Sequence, residues 1–285
     1  MTLSFKFGTV GSPSGTPKKP GGSVGAIQFS KSIGLNALEL GWVQSVRVTE
    51  ATCAAIKATA QEQGVALSVH APYFINLNAT AEEWPKSRKR LMDAAHYGYL
   101  AGATDIIFHP GSYFGNNPSD VLKVALPRLE KCVKELQKNG DKVTLRPETM
   151  GKSAMLGSFE DTLVMSKAVE MVQPCLDFAH LHARPGDGSM NTYDEWSRLF
   201  EKYGKALGQK ALKNLHIHCS GIEYGPKGEK KHLTFKEADL DLKALFKAMN
   251  DFECGGRIVG ESPIMEEDSL HMKKVWMKIS GEKEK

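Results

Sequence analysis

His70, His109, Glu148, Asp177, His216 and Glu261 each close a short apolar segment of this chain: Ser68-Val69-His70, Ile106 to His109, Val143 to Glu148, Cys175-Leu176-Asp177, Leu215-His216 and Ile258 to Glu261. Imidazoles and carboxylates without thiolates are the donors of a catalytic zinc or manganese cluster rather than of a structural zinc site. One His or acid at a strand end is usually a hydrogen-bonded residue or a helix N-cap. A run of them on consecutive strands describes a shared metal site. His180 adds an imidazole one turn after Asp177. His218 falls on the same strand face as His216 and nearer the strand end, so it is the alternative donor there. His182 is a weaker candidate, and His96 and His271 fall in helical stretches and read as structural.

Donors so far apart in sequence meet only if their strands open onto one common face. A closed (β/α)8 TIM barrel does this, because its catalytic side chains sit at the C-terminal ends of parallel strands. The chain alternates apolar runs with stretches of helical period, as a parallel sheet requires. Strands are expected at Leu3 to Phe7, Ala37 to Leu40, Ala66 to His70, Asp105 to His109, Val143 to Glu148, Pro174 to Asp177, Leu212 to His218 and Arg257 to Glu261. Helices are expected near Val24 to Ile33, Thr49 to Glu62, Ala81 to Leu100, Pro118 to Lys138, Ser158 to Val172, Thr192 to Tyr203, Asp239 to Asn250 and Asp268 to Ile279. Asn117, Ser158 and Thr192 read as N-caps, and Gly34, Gly102 and Gly204 as left-handed C-caps. A doubly wound open sheet is disfavoured, since its ligand crevice draws on only a few strand ends. The segments Gly11 to Gly22 and Cys219 to Phe235 read as long loops on the catalytic face.

At 285 residues the chain fits one barrel, residues 1–285 as a single domain. An apolar content of 41% and a charged content of 25% are those of a soluble globular protein, with no membrane span and no signal peptide in view. Five scattered cysteines without CxxC pairing exclude a disulfide framework and imply an intracellular, cytoplasmic setting. The net charge of +4 is mild. Basic clusters at Lys18-Lys19, Lys86 to Arg90 and Lys227 to Lys231 would favour a polyanion if they line the barrel mouth. Arg184, just beyond His180, is the leading candidate for a phosphate contact, and Trp42 is a candidate either for stacking on a base or for the core.

Taken together, His70-Ala71-Pro72-Tyr73-Phe74-Ile75-Asn76-Leu77, Phe108-His109-Pro110-Gly111-Ser112, Pro147-Glu148-Thr149, Asp177-Phe178-Ala179-His180, Leu215-His216 and Gly260-Glu261-Ser262-Pro263 resemble the motifs of the endonuclease IV family of apurinic/apyrimidinic endonucleases, within the xylose-isomerase-like TIM barrel superfamily. The resemblance runs in order along essentially the whole chain. It implies hydrolysis of double-stranded DNA 5′ to an abasic site, leaving a 3′-OH, with two or three zinc ions and manganese as the other candidate metal. It implies no membrane and no obligate protein partner. Carried over by residue, His70, His109 and Glu148 hold a first metal, and Glu148 bridges to a second completed by Asp177, His216 and Glu261. His180 helps hold a third. Tyr73 matches a position near the phosphate. Where the family has an Asp-x-His pair, this chain has Glu229-Lys230-Lys231-His232, so His232, then Glu229, are the candidates to complete the third set, with His182 or Glu223 as substitutes. The competing reading is a single-metal sugar isomerase or epimerase built on Glu148, Asp177, Glu261 and His216, which has no use for His70, His109 and His180.

Overall fold

A computed structural model describes residues 4–283. Its strands are β1 (Phe5–Thr9), β2 (Ala37–Gly41), β3 (Ala66–His70), β4 (Ala103–Phe108), β5 (Thr144–Pro147), β6 (Cys175–Asp177), β7 (Leu215–Cys219), β8 (Gly221–Gly225), β9 (Gly228–Leu233) and β10 (Gly256–Gly260). The helices are α1 (Gly22–Ser32), α2 (Glu50–Gln63), α3 (Trp84–Leu100), α4 (Pro118–Asn139), α5 (Phe159–Ala168), α6 (Phe178–Ala183), α7 (Tyr193–Leu207), α8 (Leu242–Asp251) and α9 (Glu266–Ser280), with a 3-10 turn over Gln209–Asn214. Leu3, where the first strand was expected to begin, lies outside the described residues.

Parallel pairing runs β1-β10-β7-β6 and β2-β3-β4-β5. Two seams join these arcs. Val10 bridges Glu39 and Asn36 N–H donates to Phe7 O at 3.0 Å, while Glu148 bridges Cys175 and Thr149 N–H donates to Cys175 O at 3.0 Å. The result is the expected TIM barrel. Strand alternation sends Leu38, Leu40, Leu67, Val69, Ile106 and Leu145 outward into the apolar layer beneath the helices. The opposite faces fill the barrel with polar groups instead: Glu39, Ser68, Asp105, Arg146, His216 and His218 are all buried. Near the N-terminal end Arg146 Nε donates to Asp105 Oδ1 at 2.6 Å, and Arg257 reaches Asp105 Oδ2 at 3.2 Å. Burial works against ionised Asp105, yet the two guanidiniums hold its carboxyl well below the usual range. A buried charge persists only when paired and hydrogen-bonded, as here.

Capping sets several helix starts. Ser158 with Asp161, and Thr192 with Glu195, form reciprocal capping boxes, and Asn117 caps α4 through Ser119 N–H. α5 stops at Ala168 rather than Val172 because Val172 is drawn into a parallel bridge with Leu145. α7 continues past Gly204 to Leu207, so Gly204 is helix interior and Gly208, with φ of 91°, follows the last turn. The loop expected from Cys219 to Phe235 is an antiparallel hairpin, β8–β9, on the catalytic face. Among the described residues no helix is long and apolar enough to cross a membrane.

Candidate metal centre

Glu148, just past β5, lies at the centre of the barrel mouth and is fully buried. Its Oε2 stands 3.4 Å from both His70 Nε2 and His109 Nε2, while its Oε1 stands 3.1 Å from His180 Nδ1 and 3.6 Å from His218 Nδ1. Neither oxygen has a hydrogen-bond partner, nor do Asp177 Oδ2 and His218 Nδ1. Buried polar atoms left unpaired cost roughly 1–3 kcal/mol each unless something else satisfies them. Among the described residues donor atoms gather in four sets: His70, His109 and Glu148; Glu148, Asp177, His218 and Glu261; Asp177, His180 and His232; and, deeper in the barrel, Cys175, His216 and His218, where burial pushes the Cys175 thiol up and so keeps it protonated. Orphaned carboxylate oxygens facing imidazole nitrogens are the donor chemistry of hard-to-borderline divalent ions, so the residues present fit such ions.

Four of these histidines share a second feature. His70 Nδ1–H donates to Ala71 O at 2.9 Å, His180 Nδ1–H to Thr149 O at 2.9 Å, His218 Nε2–H to Glu39 Oε1 at 2.9 Å and His232 Nδ1–H to Ser220 Oγ at 2.7 Å. In each case one nitrogen is anchored to an oxygen acceptor while another face of the ring meets site carboxylates. Metal-ligating histidines characteristically have such an outer partner, which fixes tautomer and ring orientation. Local folding supplies the placement. Asp177 ends β6 and caps α6, its Oδ1 accepting His180 N–H at 2.6 Å, and this turns His180 back toward the strand ends. On β9, Glu229 pairs with Tyr224 and Lys231 with Glu223, so Lys230 is an extra, bulged residue. The bulge restores one face to Glu229 and His232, which plain alternation at a spacing of three would separate. Glu229 Oε2 accordingly lies 3.5 Å from His180 Nε2. Gly151 leaves room for both side chains, since a Cβ there would come within 2.9 Å of each.

Electrostatics follow from burial and proximity. Burial pushes Glu148 toward the neutral acid, but the facing His109 and His218 imidazoles prevail and hold its carboxyl well below the usual range. For Asp177 burial wins over His180, and its pKa is raised. Tyr73 is 45% exposed, its ring stacked on His109 at 5.1 Å. Burial, then the Glu261 and Glu148 charges, push the Tyr73 hydroxyl up to about 12, so it remains a proton donor at neutral pH. Tyr73, His70, His109, His180, His232 and Glu261 line an open cleft of about 570 Å³.

Several expected residues stand elsewhere. His216 lies one pleat deeper than the mouth, its Nε2–H donating to Glu39 Oε2 at 2.9 Å, and His218 takes the place among Glu148, Asp177 and Glu261. The reason is that β7 runs on to Cys219, which puts the end of the strand at the later histidine. Trp42 does not offer a stacking face, because only 9% of it is exposed and it packs in the apolar layer. Arg184 is spent on the chain itself: its guanidinium donates to the carbonyls of Met150 at 2.8 Å, Lys152 at 2.7 Å and Met155 at 3.0 Å. Arg184→Ala should therefore destabilise the β5–α5 loop, by about 2–3 kcal/mol in chemical denaturation, rather than change the salt dependence of nucleic-acid binding. An unchanged midpoint would contradict that assignment. His182 has both nitrogens engaged, with Ser189 O at 3.1 Å and Asp239 at 3.0 Å, and half-buried Glu223 pairs with Lys230 at 3.1 Å. In the Lys86 to Arg90 cluster, Lys86, Arg88 and Lys89 pair with Glu83, Glu135 and Asp93. Two site residues escaped the sequence reading or ranked second in it. Glu39 is a lone charge inside the apolar run Ala37-Leu38-Glu39-Leu40, and that was its signal; His218 had been only the alternative.

Comparison with known proteins places this arrangement in a family. A family model described as xylose isomerase-like TIM barrel matches residues 27–278. An uncharacterised protein of Methanocaldococcus jannaschii is 32% identical over 96% of this chain and 97% of its own. A probable endonuclease 4 of Geobacillus sp. is 28% identical over 65% of this chain and 61% of its own. Among solved structures, endonuclease IV from Thermus thermophilus superposes with a TM-score of 0.71 at 20% identity, over 98% of this chain and 100% of that one. A D-tagatose 3-epimerase-like protein also reaches 0.71, at 16% identity, over 97% and 98%. The chain belongs to the xylose isomerase-like TIM barrel family, with endonuclease IV among its relatives.

Proposed function

We propose that the protein is a metal-dependent DNA-repair phosphodiesterase that cuts duplex DNA on the 5′ side of abasic sites and leaves a 3′-OH. One observation carries this reading: Glu148 turns its two unpartnered oxygens to different imidazoles, Oε2 to the Nε2 atoms of His70 and His109 and Oε1 to the unpartnered Nδ1 of His218. A carboxylate has lone pairs enough to bridge two ions, whereas each imidazole serves one. His70, His109 and Glu148 would hold the first ion, Glu148, Asp177, His218 and Glu261 the second, and Asp177, His180, His232 and Glu229 the third. When bound, zinc or manganese would lower the pKa of the attacking water and neutralise the departing oxygen. The chain's own contribution is orientation. The anchored imidazoles of His70, His180, His218 and His232 keep their free nitrogens turned to the site carboxylates, and the protonated Tyr73 hydroxyl donates to a phosphate oxygen at the open side of the cleft. Duplex DNA is then the partner, and the compartment is the one that holds genomic DNA.

The alternative within the family is a one-metal sugar epimerase, favoured by the compact set of Glu148, Asp177, His218 and Glu261. Metal content separates the two. Protein equilibrated with zinc and freed of loose ions should carry two or three ions per chain. A single ion, unaltered by His70→Ala with His109→Ala, would favour the epimerase.

A further inference from the structure

Among the outer partners of the site histidines, those of His70, His180 and His232 are neutral oxygens, whereas His218 donates to a carboxylate. That carboxylate, Glu39, sits on β2 and is fully buried. Its Oε1 accepts from His218 Nε2 at 2.9 Å, and its Oε2 accepts from His216 Nε2 at 2.9 Å and Ser68 Oγ at 2.7 Å. An ionised carboxylate only accepts, so all three neighbours must present a proton to it. The Nε2 of His218 is thereby committed, and its unpartnered Nδ1 is left facing Glu261 at 3.3 Å and Glu148 at 3.6 Å. His216 and Ser68 keep the buried charge satisfied from the other side, which explains a second histidine one pleat below the site.

We infer that Glu39 is the positioning residue of the second ion: through His218 Nε2 it fixes the ring as an Nδ1 donor and strengthens that donor. The inference rests on the multi-ion reading above. A charged acceptor behind a ligating imidazole raises its basicity, and loss of such a partner typically weakens metal binding by about 10–100-fold. Glu39→Gln replaces one acceptor oxygen with an N–H2 donor, which cannot face both His216 and His218 as they now stand.

The test is chelator competition with zinc on the full chain, wild type against Glu39→Gln. One ion should bind about 10–100-fold more weakly in the variant while the remaining ions keep their affinities. Equal affinity for every ion in both proteins overturns the inference and leaves the multi-ion reading standing. Failure of wild type to bind more than one ion overturns both. Should Glu39→Gln not fold, long-range proton–nitrogen spectra of zinc-loaded, histidine-labelled wild type decide. Coordination of His218 through Nδ1, with a protected, downfield Nε2–H, is expected; coordination through Nε2 overturns the proposal.

Discussion

Glu148→Gln is expected to reduce incision of abasic duplex at least about a thousandfold, some 4 kcal/mol of barrier, while the protein stays folded. The amide keeps the volume of the side chain, so packing around β5 is preserved. It removes one of the two anionic oxygens that face His70 and His109 on one side and His180 and His218 on the other. The variant therefore cannot complete both of the donor sets that Glu148 shares, and metal-assisted charge neutralisation, worth several kcal/mol, is lost. Folding itself has no need of the charge, because neither Glu148 oxygen makes a hydrogen bond within the chain. Turnover within tenfold of the parent, at saturating zinc and with an unchanged denaturation midpoint, would remove Glu148 from the bridging role.

His218→Ala and His216→Ala should diverge although the residues are two apart on one strand. His218→Ala removes the Nδ1 that faces Glu148 and Glu261. It is expected to lose one ion per chain and at least about a hundredfold in rate, close to 3 kcal/mol. His216→Ala leaves every mouth residue in place but takes one donor from buried Glu39. It should keep the full metal complement at a stability cost of about 1–3 kcal/mol, the usual penalty for an under-satisfied buried group. Metal analysis and urea denaturation of the two variants check this, and loss of an ion from His216→Ala alone would reverse the assignment.

The pair also shows where sequence reasoning reaches its limit. His70, His109, Glu148, Asp177 and Glu261 could be placed together from sequence because each is the last chemically distinctive residue of its strand, and a barrel brings strand ends to one face. The choice between His216 and His218 depended on where β7 ends, and strand boundaries are poorly fixed by composition. Glu39 was hidden for a different reason. A charge within an apolar run reads as the polar side of a strand, and only the closed barrel turns that side inward onto His216 and His218 from across the ring. The hairpin is signalled by the turn residues Gly225-Pro226-Lys227-Gly228 after the alternating Ile222-Glu223-Tyr224, but its second arm, Glu229-Lys230-Lys231-His232, carries no apolar alternation. The bulge at Lys230 has no local signature, although it reconciles the Glu229 to His232 spacing with a common face. Carbonyl oxygens claim Arg184 and apolar packing claims Trp42, contacts that side-chain type alone does not signal.

The central claim is tested most directly by incubating the zinc-loaded protein with a labelled duplex that contains one abasic site, with and without excess chelator, and mapping the ends. A single cut 5′ to the lesion that leaves a 3′-OH, abolished by chelator and restored by added zinc, is the expected result. An intact duplex under conditions where the protein carries its full metal complement, together with interconversion of ketose sugars by the same preparation, would contradict it.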